Sequence, residues 1–177
     1  MKRFVLILGI SLIISCGKKA DTTQTAHPDT AADSCMSKQG YEELNLFITP
    51  TGHITTSILV NGKPCLFMID TGAGATVIDR SKQDRFGLKL THSSDYAAGI
   101  GSVSALAGTE AMMTINGHQI KVNSLYLMDI SFVNAELKKN QGRKVDGLLG
   151  SDFLKKHHAI IDYGRKRIIF PTLFRQL

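Results

Sequence analysis

Several of the usual marks of a familiar chemistry are missing from these 177 residues. No Gly-x-Ser-x-Gly occurs, because the stretch GIGSVSALAG at residues 99–108 misses the spacing, so a serine nucleophile on a strand-to-helix elbow is excluded. No His-Glu-x-x-His occurs either. His157 and His158 stand side by side, point apart, and have no carboxylate or cysteine at ligand spacing, so no metal and no cofactor are expected. The Gly-x-Gly at Gly99 is too short for a phosphate loop. Acids are outnumbered, with 15 Asp and Glu against 21 Lys and Arg, but aromatics are only 7% and none is interleaved with the late bases. Lys138, Lys139, Arg143, Lys144, Lys155, Lys156 and the run 165–167 therefore read as a solvated face near anionic lipid, and nucleic acid is excluded as a partner.

What is present begins with an address. Residues 1–15, MKRFVLILGISLIIS, join a basic start to an apolar run too short to cross a bilayer permanently, which is the pattern of a secretion signal. The run ends at Ile13-Ile14-Ser15-Cys16, which resembles the lipobox of bacterial lipoproteins, where the cysteine is acylated and becomes the new N-terminus. Gly17 rather than Asp follows Cys16, and by resemblance to lipoprotein sorting this implies the outer membrane, with the chain facing the periplasm. Residues 16–40 are small and polar and read as a tether reaching roughly 25 to 30 Å as a flexible coil. Residues 41–177 then form one domain, since the 162 residues left after removal of 1–15 suffice for a single good core. An oxidising compartment leaves two readings open for the other cysteines: a Cys35–Cys65 disulfide, or a buried free Cys65.

From Tyr41 the pattern becomes short β-type runs between turn signals, at 44–48, 53–60, 65–69, 108–115, 118–122, 125–128, 159–162 and 167–170. Asn61-Gly62 and Asn116-Gly117 are hairpin signals, and Tyr163-Gly164 marks a turn. Helical pattern is confined to 132–140 and 151–156. The expected class is all-β, a barrel or sandwich with one or two short helices.

Within that pattern one acid is out of place. CLFMIDTGAGATVI, residues 65–78, puts Asp70 at the end of an apolar run, where an unpaired carboxylate is costly. Asp-Thr-Gly can merely cap a turn, with Gly72 supplying positive φ. Yet Gly72, Ala73 and Gly74 keep the backbone around Asp70 bare, VDGLLGSDFL recurs at 145–154, and a small-residue stretch at 97–102 lies between them. In this order, ILVNGKPCLFMIDTGAGATVI followed by DGLLGSDFL resembles the retropepsin-like aspartic proteases, in particular their bacterial exported members, over about residues 54–170.

That resemblance implies a closed acid-protease β-barrel and an aspartic endopeptidase acting on peptide or protein substrates. Asp70 would be half of the site, the other half being Asp70 of a second copy in a homodimer. Thr71 would bond across the subunit junction, and Gly72 and Ala73 would present backbone to substrate. Gly99, Ile100 and Gly101 would close over the peptide as a flap, while Leu148, Leu149 and Gly150 would pack beneath the Asp70 loop. Asp146 and Asp152 are the alternatives for a second acid within one chain, though neither sits in Asp-Thr-Gly or Asp-Ser-Gly. Many viral members place an acid and an arginine where Gly74 and Ser151 stand, so that ion pair is absent here. Residues 129–144 are extra length that either lines the cleft or covers a sheet edge. A non-catalytic peptide-binding or assembly module with the same fold is the alternative function.

Overall fold

The structure, a computed structural model, describes residues 40–171 except 100, 101 and 141, with side chains described over the same span except 92–107. Eleven strands run in chain order: β1 (Tyr41–Asn45), β2 (Phe47–Ile48), β3 (Ile54–Val60), β4 (Lys63–Ile69), β5 (Val77–Asp79), β6 (Leu90–Gly99), β7 (Ser102–Ile115), β8 (His118–Met128), β9 (Gly147–Leu149), β10 (Ile160–Asp162) and β11 (Arg167–Pro171). Three helices accompany them: α1 (Gln83–Phe86), entered through a 3-10 turn at Arg80–Lys82, α2 (Ser131–Lys139) and α3 (Ser151–Lys156).

Two tight turns organise the large sheet. Asn61 and Gly62 have φ of 48° and 77°, and Asn116 and Gly117 have 48° and 89°. Both pairs thus have the left-handed geometry that a two-residue hairpin needs, which Asn and Gly adopt at least cost. The eight-stranded sheet has the order β2-β3-β4-β9-β5-β8-β7-β6, and a further pairing of β3 with β7 closes β3, β4, β9, β5, β8 and β7 into a six-strand barrel. Inside it lie Ile58, Cys65, Phe67, Ile69, Ile78, Met113, Leu125, Leu127 and Leu149, one from every second position of each strand, as the pleat requires. A three-stranded sheet, β1-β11-β10, adds Ile168 and Phe170 to the same core.

The architecture is the closed all-β barrel expected from the sequence, with differences of detail. The expected strand 44–48 is divided: Leu44 belongs to β1 against β11, whereas Phe47 and Ile48 form β2 against β3. The expected pair 118–122 and 125–128 is one strand, β8, whose register against β7 shifts between Val122 and Leu125, where Asn123 and Ser124 face the single residue Glu110. β7 begins at Ser102, not 108; β5, β6, β9 and α1 were not among the expected elements, and among the described residues three helices stand where one or two were foreseen. Of residues 129–144, expected to line the cleft or to cover a sheet edge, 131–139 form α2, which with Ile130 and Val145 packs on Met68, Val77 and Leu148 of the central strands rather than on a sheet edge.

Candidate active site

β4 and β9 run parallel, Met68 opposite Leu148 and Ile69 opposite Leu149, so both end on the same side of the barrel. Asp70 is the next residue of β4 and remains in the ladder, its N–H donating to the Leu149 carbonyl at 3.1 Å. The chain then turns back through Thr71-Gly72-Ala73. The Gly72 and Ala73 N–H groups both donate to Asp70 Oδ1, at 2.9 and 3.2 Å, and Ala73 N–H also donates to the Asp70 carbonyl at 3.1 Å. Asp70 is half-buried, and among the described residues nothing donates to its Oδ2. One carboxylate oxygen is fixed by backbone, and the other has no donor among the described residues.

Gly72 does not have positive φ, so the capping role first offered for it is not the reason for a glycine. The reason is room. A Cβ there would lie 3.3 Å from Asp70 Oδ1, pressing on the oriented carboxylate. Thr71, Gly72 and Gly74 are exposed and Ala73 is half-buried, so the loop offers bare backbone at the surface.

The loop rests on residues 148–151. Ser151 N–H donates to the Ala73 carbonyl at 2.8 Å, and Gly150 N–H donates to Thr76 Oγ1 at 3.0 Å. Thr76, wholly buried, donates in turn to Asp152 Oδ1 at 2.7 Å. This chain of neutral and charged bonds ties the Asp70 loop to α3 where the viral ion pair is missing. Gly150 is obligatory for a steric reason, because a Cβ would come within 2.5 Å of the Ala75 backbone. Gly147 is equally confined, against the Val77 carbonyl and the Phe67 ring.

The two acids considered as in-chain partners of Asp70 are both engaged elsewhere. Asp152 accepts from Thr76. Asp146 accepts from Arg85 Nη1 at 3.0 Å and from the Leu66 N–H at 3.1 Å, while Arg85 Nη2 reaches the Pro64 carbonyl at 2.9 Å. The sequence offered Asp146 only as an alternative second acid and gave no sign of this clamp, whose arginine lies 61 positions away with no local signal. Buried Asn134 was also missed. Its amide accepts from Val145 N–H at 2.8 Å, donates to the Val145 carbonyl at 3.1 Å and reaches buried Asp79 at 3.5 Å, which locks α2 to the approach of β9.

Of the expected flap, Gly99 ends β6 and pairs with Ser102, whereas Ile100 and Gly101 lie outside the described residues, as do Cys16 and Cys35. Cys65 is a buried free thiol, and burial with Asp146 nearby pushes its pKa up, out of reach of ordinary ionisation. Burial also pulls His157 down to about 4, with Lys156 and His158 adding repulsion, and its ring packs on Phe153 at 4.4 Å between centroids. Asp162 is held at about 2, first by the Arg165 N–H and then by the Arg165 and Arg167 side chains. Among the described residues no group of three or more His, Cys, Asp or Glu is arranged to hold a metal.

A six-strand barrel carrying one Asp-Thr-Gly loop at paired strand ends defines a retropepsin-like aspartic protease fold. The family model described as "Aspartyl protease" matches residues 54–153, more than half of the chain, and the chain belongs to that family. It is 32% identical over 109 residues to DNA damage-inducible protein 1 of Cryptococcus neoformans, covering 60% of this chain and 22% of that protein. The same-named protein of Phaeosphaeria nodorum is 28% identical over 114 residues, covering 64% of this chain and 24% of that protein. The chain therefore spans about a quarter of the length of these curated relatives. Among solved structures, a retropepsin-like aspartic protease from Rickettsia conorii superposes with a TM-score of 0.51 at 21% identity, covering 73% of this chain and 90% of that one.

Proposed function

We propose that the protein is an aspartic endopeptidase that hydrolyses peptide bonds as a homodimer, with Asp70 supplied by each copy. The observation that carries the reading is the Asp70 carboxylate itself: Oδ1 is held by the N–H groups of Gly72 and Ala73, and among the described residues no donor engages Oδ2. Two such carboxylates close together cannot both ionise and so share one proton. The ionised member takes a proton from a water as that water attacks the scissile carbonyl, and the protonated member hydrogen-bonds the carbonyl oxygen. Collapse of the tetrahedral adduct breaks the C–N bond as the leaving nitrogen takes up a proton, giving a free acid and a free amine. Engagement of Asp146 and Asp152 with Arg85 and Thr76 favours a second copy over a second acid in the same chain.

The proposal extends to location: residues 1–15 act as an export signal, Cys16 carries the lipid anchor, and the domain faces the periplasm from the outer membrane, close enough to act on exported proteins. The test is cleavage of a peptide library from pH 4 to 7.5 by the purified protein beside its Asp70→Asn variant. Cleavage that vanishes in the variant supports the enzyme. If peptides bind equally to both and neither cleaves, the protein is instead a peptide-binding module.

A further inference from the structure

The apolar surface beside Asp70 is already occupied. Side chains alternate along β4: Cys65, Phe67 and Ile69 enter the barrel, whereas Leu66 and Met68 point to the outer face. Asp70, next in the ladder, falls on that outer face. β9 and β5 continue the same face with Leu148 and Val77, since Leu149 and Ile78 point inward and Leu148 stands opposite both Met68 and Val77. Met68, Leu148 and Val77 thus form an apolar floor adjoining the Asp70 carboxylate. An extended peptide crossing Asp70 directs alternate side chains toward such a floor.

Ile130, α2 and Val145 cover it. Ile130 and Leu137 of the α2 segment and Val145 of the following linker are buried on Met68, Leu148 and Val77, at 0%, 2% and 1% exposure. The cover is latched by one polar group, the Asn134 amide, which holds both the N–H and the carbonyl of Val145.

From this placement we propose that α2 is an intramolecular gate: Leu137 and its neighbours stand where an apolar substrate side chain beside the scissile bond binds, and substrate displaces them. The exchange is of like for like, one apolar group leaving the floor as another enters, so the hydrophobic term largely cancels. The Asn134 latch then sets how often the floor is free, and apparent affinity for substrate scales with that fraction. The gate rests on the protease reading for its consequence in turnover, but not for its consequence in binding.

The experiment uses the full chain carrying Asp70→Asn and a hexapeptide with Leu-Phe at its centre, and follows amide hydrogen exchange of residues 131–139. Saturating peptide speeds exchange of α2 if the gate is right. Unchanged or slowed exchange, or no peptide binding to this protein even with Asn134→Ala added, overturns it. In the protein with Asp70 intact, Leu137→Ala and Asn134→Ala each raise kcat/KM for that peptide about 5- to 10-fold through KM, as expected when a competing closed state is depleted. Folded variants with equal or lower kcat/KM contradict the gate. Faster α2 exchange with no cleavage by any form leaves the gate standing and removes the protease.

Discussion

Asp70 takes its orientation from backbone rather than from a counter-charge, which makes its neighbours matter for shape more than for electrostatics. Gly150 is the sharpest case. Gly150→Ala would place a methyl 2.5 Å from the Ala75 backbone, so either the Asp70 loop or α3 must move. We expect a loss of about 1 to 3 kcal/mol, read as a lowered midpoint in urea unfolding, and an unchanged midpoint would contradict the packing described. Thr76 makes the second case, because its hydroxyl both accepts from Gly150 N–H and donates to Asp152. Thr76→Val leaves the buried Gly150 N–H and the half-buried Asp152 carboxylate without this partner and should cost about 1 to 3 kcal/mol, most of it restored by Thr76→Ser, which keeps the hydroxyl. Thermal melts of the pair decide this: equal melts for Val and Ser would show that the hydroxyl does nothing there. Asp-Thr-Gly was legible in the sequence because three adjacent residues carry it. The bonds that hold it were not, since Thr76 and Asp152 are 76 positions apart and meet only once the barrel closes.

Elements differ in how far local pattern could foretell them. Asn61-Gly62 and Asn116-Gly117 fixed two hairpins, and α3 lies where its pattern placed it, at Ser151–Lys156. β9 has only Gly147-Leu148-Leu149, too short for any periodicity, and becomes a strand because β4 and β5 flank it. α1 has four residues and is held from outside, Asn61 Nδ2 donating to the Phe86 carbonyl at 2.9 Å. β6 and β7 are rich in Ala, Gly and Ser, weak strand formers that pair because they face each other across a hairpin. At this scale α3 carries a pH dependence. His157, at the C-terminal end of α3, is held down at about 4 against an ordinary value of 6.5, chiefly by burial. The unfolded chain therefore binds its proton first as pH falls. Stability is full above pH 6.5, declines from 6.5 toward 4, and this contribution levels off below 4. His157→Phe keeps the contact with Phe153 and removes the titration, so its melting temperature should fall less between pH 6.5 and 4 than that of the parent. An identical fall in both proteins would assign the loss to other groups.

For the whole molecule, pairing of β3 with β7 closes the barrel, with β2 and β6 left as the outer strands, and keeps the ends of β4 and β9 fixed relative to each other. In the proposed homodimer that rigidity would suit the Asp70 loop, which would meet its own copy across a two-fold axis, the self-complementary contact such symmetry requires. The proposed anchor adds a prediction: Cys16→Ser expressed in a Gram-negative bacterium should move the protein from the membrane fraction to the soluble periplasm, and retention in the membrane would contradict lipidation at Cys16.

The central claim is that two Asp70 residues, one from each chain, make one site. The direct measurement is the rate of peptide cleavage at fixed total protein as the parent is mixed with Asp70→Asn and the subunits are allowed to exchange. The account predicts that activity follows the square of the parent fraction, about one quarter at equal mixing, because only parent pairs carry both carboxylates. A linear fall, to about one half at equal mixing, would mean that each chain holds a complete site by itself and would contradict the account.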